Sequence, residues 1–64
     1  MSNQFMKKMI PKFLPGNRVI FILTNSFGTV KSILRRNEHD IQYMILLDYA
    51  EREITAHESE LICA

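Results

Sequence analysis

From Arg18 onward the chain sets short apolar runs between polar punctuation at a spacing that suits strands. Arg18 to Leu23 (RVIFIL) is β-branched and aromatic, with Pro15-Gly16-Asn17 before it and Thr24-Asn25-Ser26 after it, which predicts a first strand. Gly28 to Arg35 (GTVKSILR) is a second, with Gly28 placed at its entry, where a bend or a close backbone approach is expected. Arg36 to Asp40 is wholly polar and makes a connecting turn. Ile41 to Leu47 (IQYMILL) is a third strand, Asp48-Tyr49-Ala50-Glu51 a tight turn, and Arg52 to Ala56 (REITA) a fourth. His57-Glu58-Ser59-Glu60 suits a single 3₁₀ turn before a last short strand, Leu61 to Cys63. Five short strands so closely spaced predict an all-β chain closing into a small five-stranded barrel.

Residues 1–14 have a different pattern. Phe5, Met6, Met9 and Ile10 fall on one side of a helical wheel, Ser2 can cap its start, and Pro11 forces Ile10 out of helical geometry. The expectation is a short amphipathic segment, helical or extended, followed by a barrel over residues 15–64. Pro15 suits the first corner of a turn, and Gly16 supplies the positive φ that a type II turn requires at the next position.

Alternation along the strands then raises a difficulty. If Val19, Phe21 and Leu23 point inward, Ile20 and Ile22 point outward; if Tyr43, Ile45 and Leu47 are inside, Met44 and Leu46 are outside. Contiguous exposed apolar residues mark an interaction site, so Ile20, Ile22, Met44 and Leu46 need a cover. The N-terminal segment, with Phe5, Met6, Met9, Ile10, Phe13 and Leu14, is one candidate, and a second copy of the chain is the other. Ile20, Ile22, Met44 and Leu46, with Phe5 and Met9 from the N-terminal segment, are therefore the predicted protein interface.

Four pieces of sequence, Pro15-Gly16-Asn17-Arg18-Val19, Gly28-Thr29-Val30, Leu46-Leu47-Asp48-Tyr49 and Glu58-Ser59-Glu60-Leu61, taken in that order over residues 15–63, resemble SH3-like barrels of the KOW and Tudor type. The resemblance to Tudor barrels implies an aromatic loop site built from Phe27 and Tyr49, with Tyr43 as a third wall, since a cationic group is held by the faces of several rings. The resemblance to KOW-like barrels implies RNA or ribonucleoprotein binding through loops.

Composition narrows the classes. The chain has 64 residues, enough for one core and close to the lower limit for independent stability, where oligomerisation is a common aid. Its single cysteine, Cys63, allows no internal disulfide and points to a reducing compartment. No signal peptide is legible near Lys7 and Lys8. The longest apolar runs, Val19 to Leu23 and Tyr43 to Leu47, fall far short of the roughly 20 residues of a membrane helix. A cytoplasmic protein without a membrane partner is expected.

Net charge is only +1, but it is unevenly spread: all seven charged residues up to Arg36 are basic, whereas the stretch from Asn37 onward has seven acids and one base, Arg52. Such asymmetry hints at an anionic partner. Lys31, Arg35, Arg36, Arg18 and Lys12 are the candidate nucleic-acid contacts, with Lys31 and Arg35 on one face by parity. The plainer account is that the two halves pair with one another across an antiparallel sheet.

Catalytic constellations are lacking. His39, His57 and Cys63 have no metal-ligand spacing, Asp48, Glu51, Glu53, Glu58 and Glu60 suit a solvated rim, and the two glycines, Gly16 and Gly28, make no phosphate loop. No metal, cofactor, small-molecule substrate or enzymatic activity is expected. The sequence thus predicts a non-enzymatic adaptor that binds a protein or itself, as a homo-oligomer; the alternative is a regulatory module that binds RNA or DNA through the basic half.

Overall fold

The computed structural model describes residues 10–36 and 40–64. It is built from five antiparallel strands: β1 (Arg18–Phe21), β2 (Ser26–Arg36), β3 (Ile41–Leu47), β4 (Arg52–His57) and β5 (Leu61–Cys63), with a 3₁₀ turn at Glu58–Glu60. They form one sheet in the order β4-β3-β2-β1-β5. The all-β expectation is met. Closure into a barrel is not seen as strand pairing among the described residues, since β4 and β5 stand at opposite ends of the order. The predicted N-terminal helix falls mostly on residues 1–9, outside the described residues, and residues 10–14 are not helical. No helix among the described residues is long and apolar enough to cross a membrane.

Turn chemistry places the first strand. The Asn17 amide donates to the Leu14 carbonyl at 2.9 Å with Gly16 at φ +98°, the type II geometry that Pro-Gly favours. The Gly16 amide donates to the Val30 carbonyl, and the Val30 amide to the Asn17 carbonyl, so the turn is stitched to the middle of β2. β1 is shorter than predicted. It ends at Phe21, and Ile22 and Leu23 enter a turn in which the Asn25 amide donates to the Ile22 carbonyl, with Asn25 itself at φ 56°. β2 consequently starts at Ser26, two residues early, and takes in Phe27.

β2 is the long central strand, pairing with β1 through its first residues and with β3 along most of its length. Two register shifts, between Val30 and Ser32 and between Ile33 and Arg35, mark β-bulges at Lys31 and Leu34. Bulges bend a strand and sharpen its twist. Gly28 meets Val19 on one side and Leu47 on the other. A Cβ there would stand 2.7 Å from Ile45 Cγ2 and 2.8 Å from the Leu46 carbonyl oxygen, so only glycine fits this close approach.

The inner face carries Val19, Val30, Ile41, Tyr43, Ile45, Leu47, Ala56 and Leu61, joined by Phe13 from ahead of the turn. Phe21, Ile33 and Ile54 pack against this cluster, half-buried. β3 follows period two throughout, alternating buried and half-buried from Ile41 to Leu47.

Candidate interaction face

The outer face is organised in cross-strand rows. Because Val19 and Leu61 are buried, Ile20 and Ile62 project to the other side of the sheet. In register, Ile62 on β5 lies opposite Ile20 on β1, and Ile20 lies opposite Phe27 on β2. Ile20 is half-buried between neighbours that are 49% and 50% exposed. Three apolar side chains thus cross three adjacent strands, and neighbouring strands lie about 4.8 Å apart. Ile22 and Leu23 are exposed in the adjoining β1–β2 turn.

At its Phe27 end, beside the same turn, the row opens into a cleft of about 430 Å³ lined by Thr24, Asn25, Ser26, Phe27, Asp48 and Tyr49. The Asp48 amide donates to the Phe27 carbonyl at 3.0 Å, carrying the β2–β3 pairing one step beyond Gly28 and bringing Tyr49, 78% exposed, to the side of Phe27. Ser26 is buried with its hydroxyl 2.7 Å from that of Thr24.

The next row belongs to polar groups. Arg18 lies opposite Thr29, and Thr29 opposite Leu46. The Arg18 guanidinium donates to Thr29 Oγ1 at 2.9 Å and to both carboxylate oxygens of Asp48, a bidentate fork. The hydrogen bonds and charge of Arg18 hold the Asp48 carboxyl below the usual carboxylate range. This network separates the Ile62–Ile20–Phe27 row from Leu46 and Met44, which are half-buried, Met44 lying between Ser32 and Thr55 and Leu46 between Thr29 and Glu53. The four outward residues expected to form one patch, Ile20, Ile22, Met44 and Leu46, are therefore split into two groups.

Tyr43 has a structural role. It is fully buried, its hydroxyl donates to Glu58 Oε1 at 2.7 Å, and the Tyr43 hydroxyl oxygen accepts from the Phe13 amide at 3.4 Å. The Phe13 ring stands edge-on to Tyr43, with centroids 5.6 Å apart. The Lys12 amide also donates to Glu58 Oε1. Burial first, and the bond to Glu58 second, push the Tyr43 hydroxyl up to about 12. Tyr43 consequently cannot be the third wall of a loop site; Phe27 and Tyr49 share a cleft without it, and Phe27 belongs to a strand rather than a loop.

The candidate cations are dispersed. Arg18 is committed to Asp48. Lys31 is exposed at a bulge, while Arg35 and Arg36 pair in register with Gln42 and Ile41. Lys31 is itself a bulge residue and a second bulge, at Leu34, lies between it and Arg35, so strict alternation does not carry a shared face from one to the other. Phe5 and Met9 lie outside the described residues. At the far end of the sheet His57 Nδ1 sits 2.9 Å from Asp40 Oδ2, and the Gln42 side-chain amide donates to the same carboxylate; the His57–Asp40 bond raises His57 above its ordinary value, and that bond first, with the one from Gln42 second, lowers Asp40. Among the described residues no three His, Cys, Asp or Glu side chains cluster as metal ligands.

Ile62 was missed by the sequence reading, although the signal was present: alternation in the last strand, with Leu61 inside, puts Ile62 outside. No family model matches this chain, and no curated protein and no solved structure matches it.

Proposed function

We propose that this chain is a non-catalytic docking module of the SH3-like barrel kind, which holds a protein partner, a second copy of itself included, on the outer face of β5, β1 and β2. One observation carries the reading: Ile62, Ile20 and Phe27 stand in register as an uninterrupted apolar row ending in the Phe27–Tyr49 cleft. Solvated apolar surface of this continuity is what protein interfaces use. The strand order and the 3₁₀ turn ahead of β5 support the barrel reading.

Light scattering over a range of concentrations tests the docking. The wild-type mass should exceed that of one chain, and Ile62→Lys or Phe27→Lys should return it to that of one chain. Leu46→Lys, beyond the Arg18–Asp48 network, should change it less. A mass indifferent to Ile62→Lys and Phe27→Lys would remove the reading. Nucleic-acid binding draws less support, because Arg18 is already paired; retention on an RNA or DNA column that falls steeply with salt, and is lost on charge reversal at Lys31, would reinstate it.

A further inference from the structure

The apolar row has no cover among the described residues, and the sequence holds a segment of matching character. Nine residues precede Ile10, and they contain Phe5, Met6 and Met9 together with Lys7 and Lys8. On a helical wheel the apolar three share one side and the lysines lie on the other. As a helix the nine residues would be about 13 Å long. The row from Ile62 to Phe27 spans two strand spacings, about 10 Å, with Tyr49 one step further. The lengths agree.

Charge agrees as well. Asp48 lines the cleft at the Tyr49 end of the row, Glu51 lies in the turn after Tyr49, and exposed Glu53 stands opposite Leu46 on β4, so three carboxylates lie toward that end of the surface. Two cations, Arg18 on β1 and Arg52 next to Glu53 on β4, accompany them, and Arg18 is already held by Asp48. A basic segment suits that rim better than an acidic one.

The point at which the segment leaves the sheet decides which copy it covers. Phe13 is buried against Tyr43 on the inner face, and the Lys12 amide is fixed to Glu58. The segment therefore departs from the core side of its own sheet, whereas the row is on the opposite side. A neighbouring molecule can present its outer face without the chain having to turn back around β5. Nine extended residues reach up to about 30 Å, ample to cross to it.

On these grounds we infer that residues 1–9 of one copy seat Phe5, Met6 and Met9 on the Ile62–Ile20–Phe27 row of a second copy, with Lys7 and Lys8 toward its acidic rim, and that the exchange is reciprocal. A two-fold arrangement in which each chain both gives and receives a segment closes on itself as a dimer. This inference rests on the docking reading above and names the occupant of that face.

The test uses the full chain. In a sample mixing labelled and unlabelled molecules, isotope-filtered NMR should show contacts from the Met6 and Met9 methyls of one molecule to Ile20 and Ile62 of another. Met6→Lys with Met9→Lys should halve the mass seen by light scattering and raise the dimer dissociation constant more than tenfold, while thermal unfolding stays cooperative. Contacts found only within single molecules, or none at all, would overturn the inference. So would a dimer that persists in the double methionine variant; if Ile62→Lys still dissociates that dimer, the docking face stands and only its occupant is wrong.

Discussion

Gly28→Ala is the sharpest probe of how the sheet is held, because the added methyl has nowhere to go. Its Cβ would meet Ile45 Cγ2 at 2.7 Å and the Leu46 carbonyl oxygen at 2.8 Å. Ile45 is fully buried and lacks room to swing, and the Leu46 oxygen belongs to the backbone of β3, which is paired on both sides. Inserting one methyl group into a packed core costs about 1–3 kcal/mol, and a backbone obstacle places this case toward the upper end. The smaller unfolded-state entropy of alanine returns roughly 0.5–1 kcal/mol, leaving a net loss of about 2 kcal/mol. A chain of this size is stable by roughly 3–10 kcal/mol, so the midpoint of thermal unfolding should fall by about 8–16 °C. Urea unfolding followed by far-UV circular dichroism measures it, with Gly16→Ala as the comparison: that site has nothing within 4 Å and a φ of +98°, so its cost is backbone strain alone. A Gly28→Ala stability within about 0.5 kcal/mol of wild type would show that β2 and β3 do not approach as closely as described.

Tyr43→Phe removes the hydroxyl that joins Phe13 and Glu58 and should cost about 1–2 kcal/mol in urea unfolding; no change would deny the bond. Because the Tyr43 hydroxyl is raised from 10.0 to about 12, its contribution is complete below pH 10 and is lost as pH rises toward 12, which a stability profile on the alkaline side will show or fail to show. Glu51 holds φ 48°, a conformation that costs a non-glycine residue about 1 kcal/mol, so Glu51→Gly should stabilise the β3–β4 turn by up to that amount; a loss of stability would contradict the turn geometry. For His57, raised by its bond to Asp40, stabilisation is full below its ordinary value near 6.5 and is lost as pH rises through the raised value, while that of Asp40, lowered by the same partner, is lost as pH falls through the lowered one. The pair therefore contributes most in the acidic window between them, and Asp40→Asn should bring the NMR titration midpoint of His57 back down; an unmoved midpoint would mean the contact is not formed in solution.

Local chemistry made much of this fold legible. Pro15-Gly16 named its turn, Gly28 marked the close approach, and the third and fifth strands were bounded correctly by Asp40, Asp48, Glu60 and the end of the apolar run. What local pattern did not reveal is set by pairing. Ile22 and Leu23 continue an apolar run, yet β1 stops at Phe21 because the chain must turn to begin β2. The bulges at Lys31 and Leu34 carry no marker residue such as glycine; they lie past the β1 pairing, where β2 is in register with β3 alone, and they disable parity arguments along β2. Phe13, expected with the N-terminal segment over the outer face, is buried on the inner face instead, at a site made by Tyr43 and Glu58, 30 and 45 residues away in the chain.

The charge asymmetry shows most clearly how an interaction reading can change once the order of strands is known. A basic first half and an acidic second half look like a surface meant for an anion. In the order β4-β3-β2-β1-β5, however, β1 and the end of β3 flank the same strand, and Arg18 reaches over Thr29 to Asp48. One pair drawn from the two halves meets there. The pairing also fixes the limit of the apolar face: with the guanidinium fork across β2, a partner on the Ile62–Ile20–Phe27 row must break a bidentate contact to spread onto Leu46, and stopping at Tyr49 avoids that cost. Arg18, first read as a contact for nucleic acid, bounds the apolar Ile62–Ile20–Phe27 row in this arrangement.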